Sequence, residues 1–450
     1  MEWQLLLNAE RLGAESNTLT QDDRSPFEKD FDRLVFSSAF RRLQDKTQVF
    51  PLSESDYVRT RLTHSLEVSC VGRSLGTIVG RTICKKHELG CGPSDIGAMV
   101  AAACLAHDLG NPPLGHSGED AIRHWFEHSE TASHIKPWIP THLHADFKNY
   151  EGNAQGFRLI TKTLHTDNKG GLQLTYATLG AFTKYPIESQ VPEDKREGKA
   201  GAKKFGFFHS ESALFEKIAN RIGLIRRAPG HRWWCRHPLA FLMEAADDIC
   251  YRIVDVEDGY RLKLISFAEL HEHFCAVLGE IPSRLSEIRS EKSKVQYLRA
   301  VTIAALVKQA ATAFLEVEED CLKGEFDAEL VSRISAAPAL QSIKQLTINR
   351  IYSHDRVVEV EAAGFEVLGG LLDAFVGAAH TLLQGRKNNS QPDSRSKKII
   401  QLVPEQFLAG PISPNENAYE CLLSMIDFVC GMTDSFAVSL YKKISGISLS

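Results

Sequence analysis

The sequence predicts an all-α fold. Three observations carry that reading. Apolar residues recur at helical spacing almost throughout, strand-like alternation is scarce, and Gly110 with Asn111-Pro112-Pro113 closes an apolar run as a helix end should. In chain order, residues 59–88 read as a long helix with Leu62, Leu66, Val68, Leu75, Ile78 and Val79 as its apolar positions. Ser94 and Asp95 are the expected N-caps of a helix from about 96 to 109, which the glycine and prolines then stop. A helix from about 239 to 257 follows His237-Pro238, and 264–280, 282–290, 293–323, 356–384 and 416–445 also favour helix.

Two stretches break the pattern. Residues 186–206 are charged and glycine-bearing, and are expected to form an exposed loop able to order around a ligand. Residues 385–398 are polar and basic, as in a mobile surface loop or linker. No internal repeat is visible, and a soft boundary falls near 260–265.

The 450 residues, 43% hydrophobic, suffice for one large core or two fused ones. A net charge of -5 gives no global positive field for nucleic acid. The ten cysteines form no C-x-x-C pair; Cys104 and Cys250 sit in apolar helical runs and read as small buried hydrophobes of a reducing compartment. The N-terminus has no signal-peptide pattern, and the apolar run Ile96–Ala106 is too short to span a bilayer. These features predict a soluble cytoplasmic protein without a membrane partner.

The chemistry concentrates in four residues. His64, the pair His107-Asp108 and Asp247 form a mixed nitrogen and oxygen set, which suits a divalent first-row metal with positions left for water and substrate. Their convergence would make the chain a metal-dependent hydrolase. His-Asp pairs arise by chance, and the second one, His354-Asp355, lies among charged residues and reads as a solvated helix start. The first ends an apolar helix and precedes a turn carrying His116. Downstream, Asp247, Tyr251 and Asp255 fall four residues apart on one helix face. A solvent-exposed face is the ordinary explanation, but the apolar flanks Ala245, Ala246, Ile249 and Ile253 favour a site. Arg61, one turn from His64, would alone be a surface ion pair; beside a metal ligand it can grip phosphate oxygens.

Longer motifs carry a resemblance. R-R-L-Q-D-K-T-Q-V-F-P at 41–51, T-R-L-T-H-S-L-E-V at 60–68, H-D-L-G-N-P-P-L-G-H-S-G-E at 107–119, Y-E-G-N-A-Q at 150–155 and E-A-A-D-D-I-C-Y at 244–251 resemble the dGTPase branch of the HD-domain phosphohydrolases. In the C-terminal third only R-I-Y-S-H-D-R-V-V-E-V-E-A-A-G at 350–364 does so. The resemblance implies an all-helical HD fold and hydrolysis of deoxynucleoside triphosphates (dNTPs) to deoxynucleoside and inorganic triphosphate. It implies His64, His107, Asp108 and Asp247 as ligands of a divalent ion (Mg, Mn, Co, Ni or Fe), and His116 and Glu119 as the catalytic pair. Asp247 is preferred to Asp248 because Tyr251 and Asp255 then take the sugar-contacting positions. Gln48 and Val49 fall near base and sugar, and Arg61, Lys184 and Lys204 at the triphosphate. Related enzymes carry histidine where this chain has Asn111; the dGTPase branch shares the asparagine.

On this reading residues 1–58 contribute to the nucleotide pocket, 59–260 form the HD core, and 261–450 form a helical region that packs on it and makes oligomer contacts. The 5′-oxygen is a poor leaving group, so His116 is the expected proton donor, with Glu119 fixing its tautomer. A tyrosine against C2′ excludes ribose, and a carboxylate accepts from the 3′-hydroxyl. Two rivals remain: an HD phosphohydrolase of another nucleotide, and a nucleotide-sensing or single-stranded-DNA-binding assembly protein. The family resemblance implies a homo-oligomer, often a hexamer, with DNA or an effector nucleotide as further partner. Arg386, Lys387, Arg395, Lys397 and Lys398 are the basic residues available to DNA, though a solubilising loop is the better explanation of them.

Overall fold

A computed structural model describes residues 1–14, 24–49, 59–196, 198–408 and 417–448. Phe50 and Pro51 of the first motif, the rest of the N-terminal segment up to 58, and position 416 lie outside these. Among the described residues the fold is all-α: there is no sheet, only isolated bridges such as Ile187 with Trp233.

The principal helices are α1 (Pro26–Val35), α2 (Arg61–Lys86), α3 (Pro93–Ala106), α4 (Gly115–His128), α5 (Gly152–Arg158), α6 (Tyr176–Phe182), α7 (Pro238–Arg261), α8 (Phe267–Leu278), α9 (Glu291–Lys323), α10 (Asp355–Lys387), α11 (Ala418–Cys430) and α12 (Asp434–Ile444). One core joins α1, α2, α3, α7, α8 and α9. A second joins α4 to α10 and α11, and takes in Tyr185, Ile187, Phe205, Phe208 and Trp233.

Small residues decide how α2 and α3 meet. Gly72, Gly76 and Gly80 recur every four residues on the α2 face toward α3. A Cβ at Gly72 would lie 2.4 Å from the Cys104 sulfur, and one at Gly76 would lie 2.8 Å from the Ile96 carbonyl. Only glycine allows this approach. The two helices form a hairpin, so the first turn of α2, with His64, comes level with the end of α3, where His107 sits. Helix α7 packs on both through fully buried Ala245, Ala246 and Ile249.

Several boundaries differ from the sequence expectation. Helix α3 starts at Pro93, the position where proline's missing N–H costs nothing. Ser94 and Asp95 are therefore not N-caps; Asp95 lies inside the first turn and accepts the Gly92 N–H at 2.9 Å. The stretch 282–290 is only a 3-10 turn, Ser283–Glu287, because Ser290 caps the next helix. The run 416–445 is two helices bent by 113°, with Thr433 capping the second. Helix α10 runs on to Lys387, and Asp393 caps another helix at Ser394–Ile400, so 385–398 is mostly helical. In 186–206 the apolar residues Ile187, Val191, Ala202 and Phe205 are buried, so only part of that stretch is exposed. Two helices, Glu291–Lys323 and Val357–Lys387, exceed the run at 96–106 and are long and apolar enough to cross a membrane, and the bent pair meets the same test together. About half of each apolar window, 44% and 50%, is buried within the protein.

A buried ion network ties the C-terminal helices to the rest. Arg158 donates from Nε to Asp427 at 2.9 Å and from a terminal nitrogen to Glu211 at 2.7 Å, with both carboxylates as buried as the guanidinium. Such a network stabilises only while every charge is paired.

His237 caps α7: its Nδ1 accepts the Leu239 N–H at 3.1 Å, and its Nε2 donates to the Leu6 carbonyl at 3.0 Å. The ring is fully buried, and burial pushes its pKa down from 6.5 to about 4. The folded state therefore holds a neutral ring where the unfolded chain would hold a charged one. This stabilisation is complete above pH 6.5 and is lost as pH falls toward 4, by about 3 kcal/mol over the window. His237→Asn, which keeps a capping oxygen and cannot titrate, is expected to flatten the dependence of unfolding free energy on pH between 6.5 and 4. An unchanged slope refutes the assignment.

Candidate active site

The N-terminus of α2, the end of α3, the start of α4 and the middle of α7 meet at a cleft of about 480 Å³. Every residue that the resemblance assigns to metal, catalysis or substrate lines it: Gln48, Val49, Arg61, His64, His107, Asp108, His116, Glu119, Lys184, Lys204, Asp247, Tyr251 and Asp255.

Three of the four expected metal ligands converge. One ligand atom each from His64, His107 and Asp247 lies within 4.8 Å of the others. Asp247 Oδ1 is 3.1 Å from His64 Nε2 and 3.5 Å from His107 Nε2. His107 Nδ1 bonds the Cys104 carbonyl at 2.6 Å, which turns Nε2 into the cleft. Asp108 borders the group, with Oδ1 3.5 Å from His107 Nε2, but it is otherwise engaged. Arg61 holds its Oδ2 at 2.9 Å, and Asn111 donates to its Oδ1 at 2.6 Å. The asparagine thus serves Asp108, a role its place in the motif did not reveal.

The electrostatics fit a cation. Burial opposes charge on Asp108, yet Arg61 and the two histidines hold its pKa at about 2. Asp247 is likewise held well below the usual range, against desolvation, chiefly by His107. The same carboxylates draw a proton onto His107, raising it to about 9 despite burial. A site that recruits positive charge this strongly, through two imidazole nitrogens and a carboxylate, has the donor set of a divalent ion.

His116 follows a strained corner. Leu114 and Gly115 both lie in the left-handed region, at φ 64° and 62°. A Cβ at Gly115 would meet the Arg61 guanidinium at 2.5 Å, so glycine keeps the path of Arg61 open. The His116 side chain is 78% exposed to the cleft, and its Nδ1 is 2.8 Å from the buried Glu119 Oε2. Glu119 also accepts the Gly152 N–H at 2.6 Å. Burial works against its charge, but His116 and Lys204 hold it ionised, well below the ordinary range.

The expected triphosphate lysines are paired within the protein. Lys204 lies 3.1 Å from Glu151 and 3.6 Å from Glu119, and Lys184 lies 3.4 Å from Glu244. Among the described residues, three buried polar atoms at the cleft have no hydrogen-bond partner: Gln48 Oε1, Arg61 Nε and Asp108 Oδ2, the last held by Arg61 as an ion pair alone.

Sequence reasoning missed Tyr352. Its ring stacks on that of Tyr251 at 6.1 Å and 4°, and its hydroxyl donates to Asp255. Burial lifts Asp255 to about 7 against that hydrogen bond. The residue lies in the 350–364 motif, so the signal was present without a role attached. Asn153, from the 150–155 motif, also lines the cleft. His354-Asp355 sits at the start of α10, as expected of a helix start. The basic residues from Arg386 to Lys398 are not part of the cleft lining.

No family model matches the chain. It is 45% identical to a Synechocystis protein named deoxyguanosinetriphosphate triphosphohydrolase-like, over the full length of both. The chain belongs to that family. A Pseudomonas aeruginosa relative with the same name is 40% identical over 100% of this chain and 99% of its own. A Serratia proteamaculans relative named deoxyguanosinetriphosphate triphosphohydrolase is 31% identical over 93% of each. These triphosphohydrolase relatives support dNTP triphosphohydrolase activity in general.

Asp247→Ala is expected to abolish tight divalent-ion binding, measured as metal content after dialysis, whereas Tyr251→Ala retains the ion. Full metal content in the Asp247 variant would remove the assignment.

Proposed function

We propose that the protein hydrolyses dNTPs, dGTP or several of them, to deoxynucleoside and inorganic triphosphate with a divalent ion. One observation carries the reading: the His64–His107–Asp247 cluster and the His116–Glu119 pair share a cleft with Arg61, Lys184 and Lys204. His64, His107 and Asp247 hold the ion, with Asp108 beside them. When bound, it supplies Lewis-acid charge at the α-phosphate.

The chain's own residues do the rest. Arg61 is fixed by Asp108 with its Nε still unpaired, ready for a phosphate oxygen. Lys184 and Lys204 exchange their carboxylate partners for the triphosphate tail. His116, tied to Glu119 through Nδ1, presents Nε2 to the cleft and gives a proton to the departing 5′-oxygen. The unpaired Gln48 Oε1 accepts from a base N–H. Tyr251 and Tyr352 stack at the sugar, where Tyr251 closes the space that a 2′-hydroxyl needs and Asp255 accepts from the 3′-hydroxyl.

Incubation of the metal-loaded protein with each dNTP is expected to yield deoxynucleoside and inorganic triphosphate. Monophosphate with pyrophosphate would exclude the reading. His116→Ala lowers kcat by roughly 10²–10⁴-fold with metal content unchanged. In the same assay dGTP outpaces GTP; equal turnover removes the role given to Tyr251.

A further inference from the structure

Asp434 stands far from the metal motif in sequence, yet it touches the backbone on both sides of the cleft. Its Oδ2 accepts the Thr47 N–H at 2.9 Å, and its Oδ1 accepts the Leu114 N–H at 2.9 Å. Thr47 precedes Gln48 and Val49. Leu114 precedes Gly115 and His116. The carboxylate is fully buried.

An acid in the first turn of a helix ordinarily serves that helix. Here Thr433 performs the capping of α12 by accepting the Phe436 N–H at 3.3 Å. Both Asp434 oxygens are spent outside the helix. One of the two donors belongs to Leu114, a branched residue held in the left-handed region at φ 64°. Such a conformation persists only where its surroundings fix it.

A second strut runs beside the first. The Lys46 ammonium, buried like Asp434, donates to the Asn111 carbonyl at 2.6 Å and to the Cys430 carbonyl at 2.7 Å. Residues 46–47, the turn 111–114 and the corner between α11 and α12 are therefore joined by charge-assisted bonds.

From this arrangement we infer that Asp434 is a positioning residue: it sets the Gln48–Val49 segment and the His116 corner at a fixed distance across the cleft. The inference rests on the proposed reaction, in which one segment holds the base and the other delivers the proton. Asp434 touches neither nucleotide nor ion; it acts through the backbone.

The test uses full-length Asp434→Ala and Asp434→Asn. Amide hydrogen exchange in peptides covering 43–49 and 109–118 is expected to quicken in both, less in the asparagine variant, which keeps one acceptor. The ratio kcat/KM for dGTP is expected to fall by roughly tenfold to a hundredfold in the alanine variant, mainly through kcat. Inhibition by inorganic triphosphate and metal content stay as in the parent, because Arg61 and the ligand cluster keep their own supports. If the alanine variant does not fold, the asparagine variant decides. Less than about threefold loss of kcat/KM alongside faster exchange would overturn the inference. So would a parallel loss of triphosphate inhibition and metal, the mark of general loosening. If the parent itself releases no triphosphate, the proposed reaction fails, while the exchange data still show whether Asp434 ties the two segments.

Discussion

The glycine contact between α2 and α3 is the constraint on which the site depends. It lets the two helix backbones approach until α3 sets Cys104 against Gly72 and Ile96 against Gly76 of α2. His64 and His107, a ring-to-ring 5.3 Å apart, are set by that approach and by the antiparallel hairpin. Helix α7 then needs only small residues at Ala245 and Ala246 to bring Asp247 against both imidazoles. A larger side chain at Gly72 would move the whole of α3, because the interior is close-packed and cannot absorb the displacement locally.

Around that frame, the cleft is built from charges that are paired before any ligand arrives. Arg61 with Asp108, Lys184 with Glu244, and Lys204 with Glu119 and Glu151 keep buried or half-buried cations compensated. The arrangement explains how so many ionised groups coexist in one partly desolvated space. On the proposed reading, an incoming polyanion would trade places with protein carboxylates and would not enter a field of bare positive charge. Asp108 illustrates the double use: it belongs to the motif that resembles a metal ligand set, yet it pairs with the Arg61 guanidinium and accepts a hydrogen bond from Asn111.

Much of this was legible from residue order. The helical period gave α2 and α7 nearly to their ends, since long amphipathic runs with clear stops are the strongest local signal. Cap identities were less readable: at α3 the choice between Pro93 at the first position and Ser94 as a cap depends on backbone geometry, not on composition. The break at Gly431–Thr433 was overlooked although Gly431 as a stop and Thr433 as a cap mark it in the sequence. The cleft residues were recovered because the motifs carrying them are long. Tyr352 escaped a role because stacking on Tyr251 is a tertiary fact, joining α7 to a turn about a hundred residues later. Asp434 escaped for the same reason, and because its partners are backbone N–H groups, which every sequence contains.

The two halves of the cleft are supplied at opposite ends of translation. The imidazoles and Asp247 leave the ribosome early, whereas Tyr352 follows much later and the Asp434 strut arrives with the final helix. A nascent chain can thus assemble the cation-binding cluster while the wall facing it is still missing. On the reading given to Asp434, a chain cut before the last helix would keep the ligand cluster and lose the strut that holds the corner before His116.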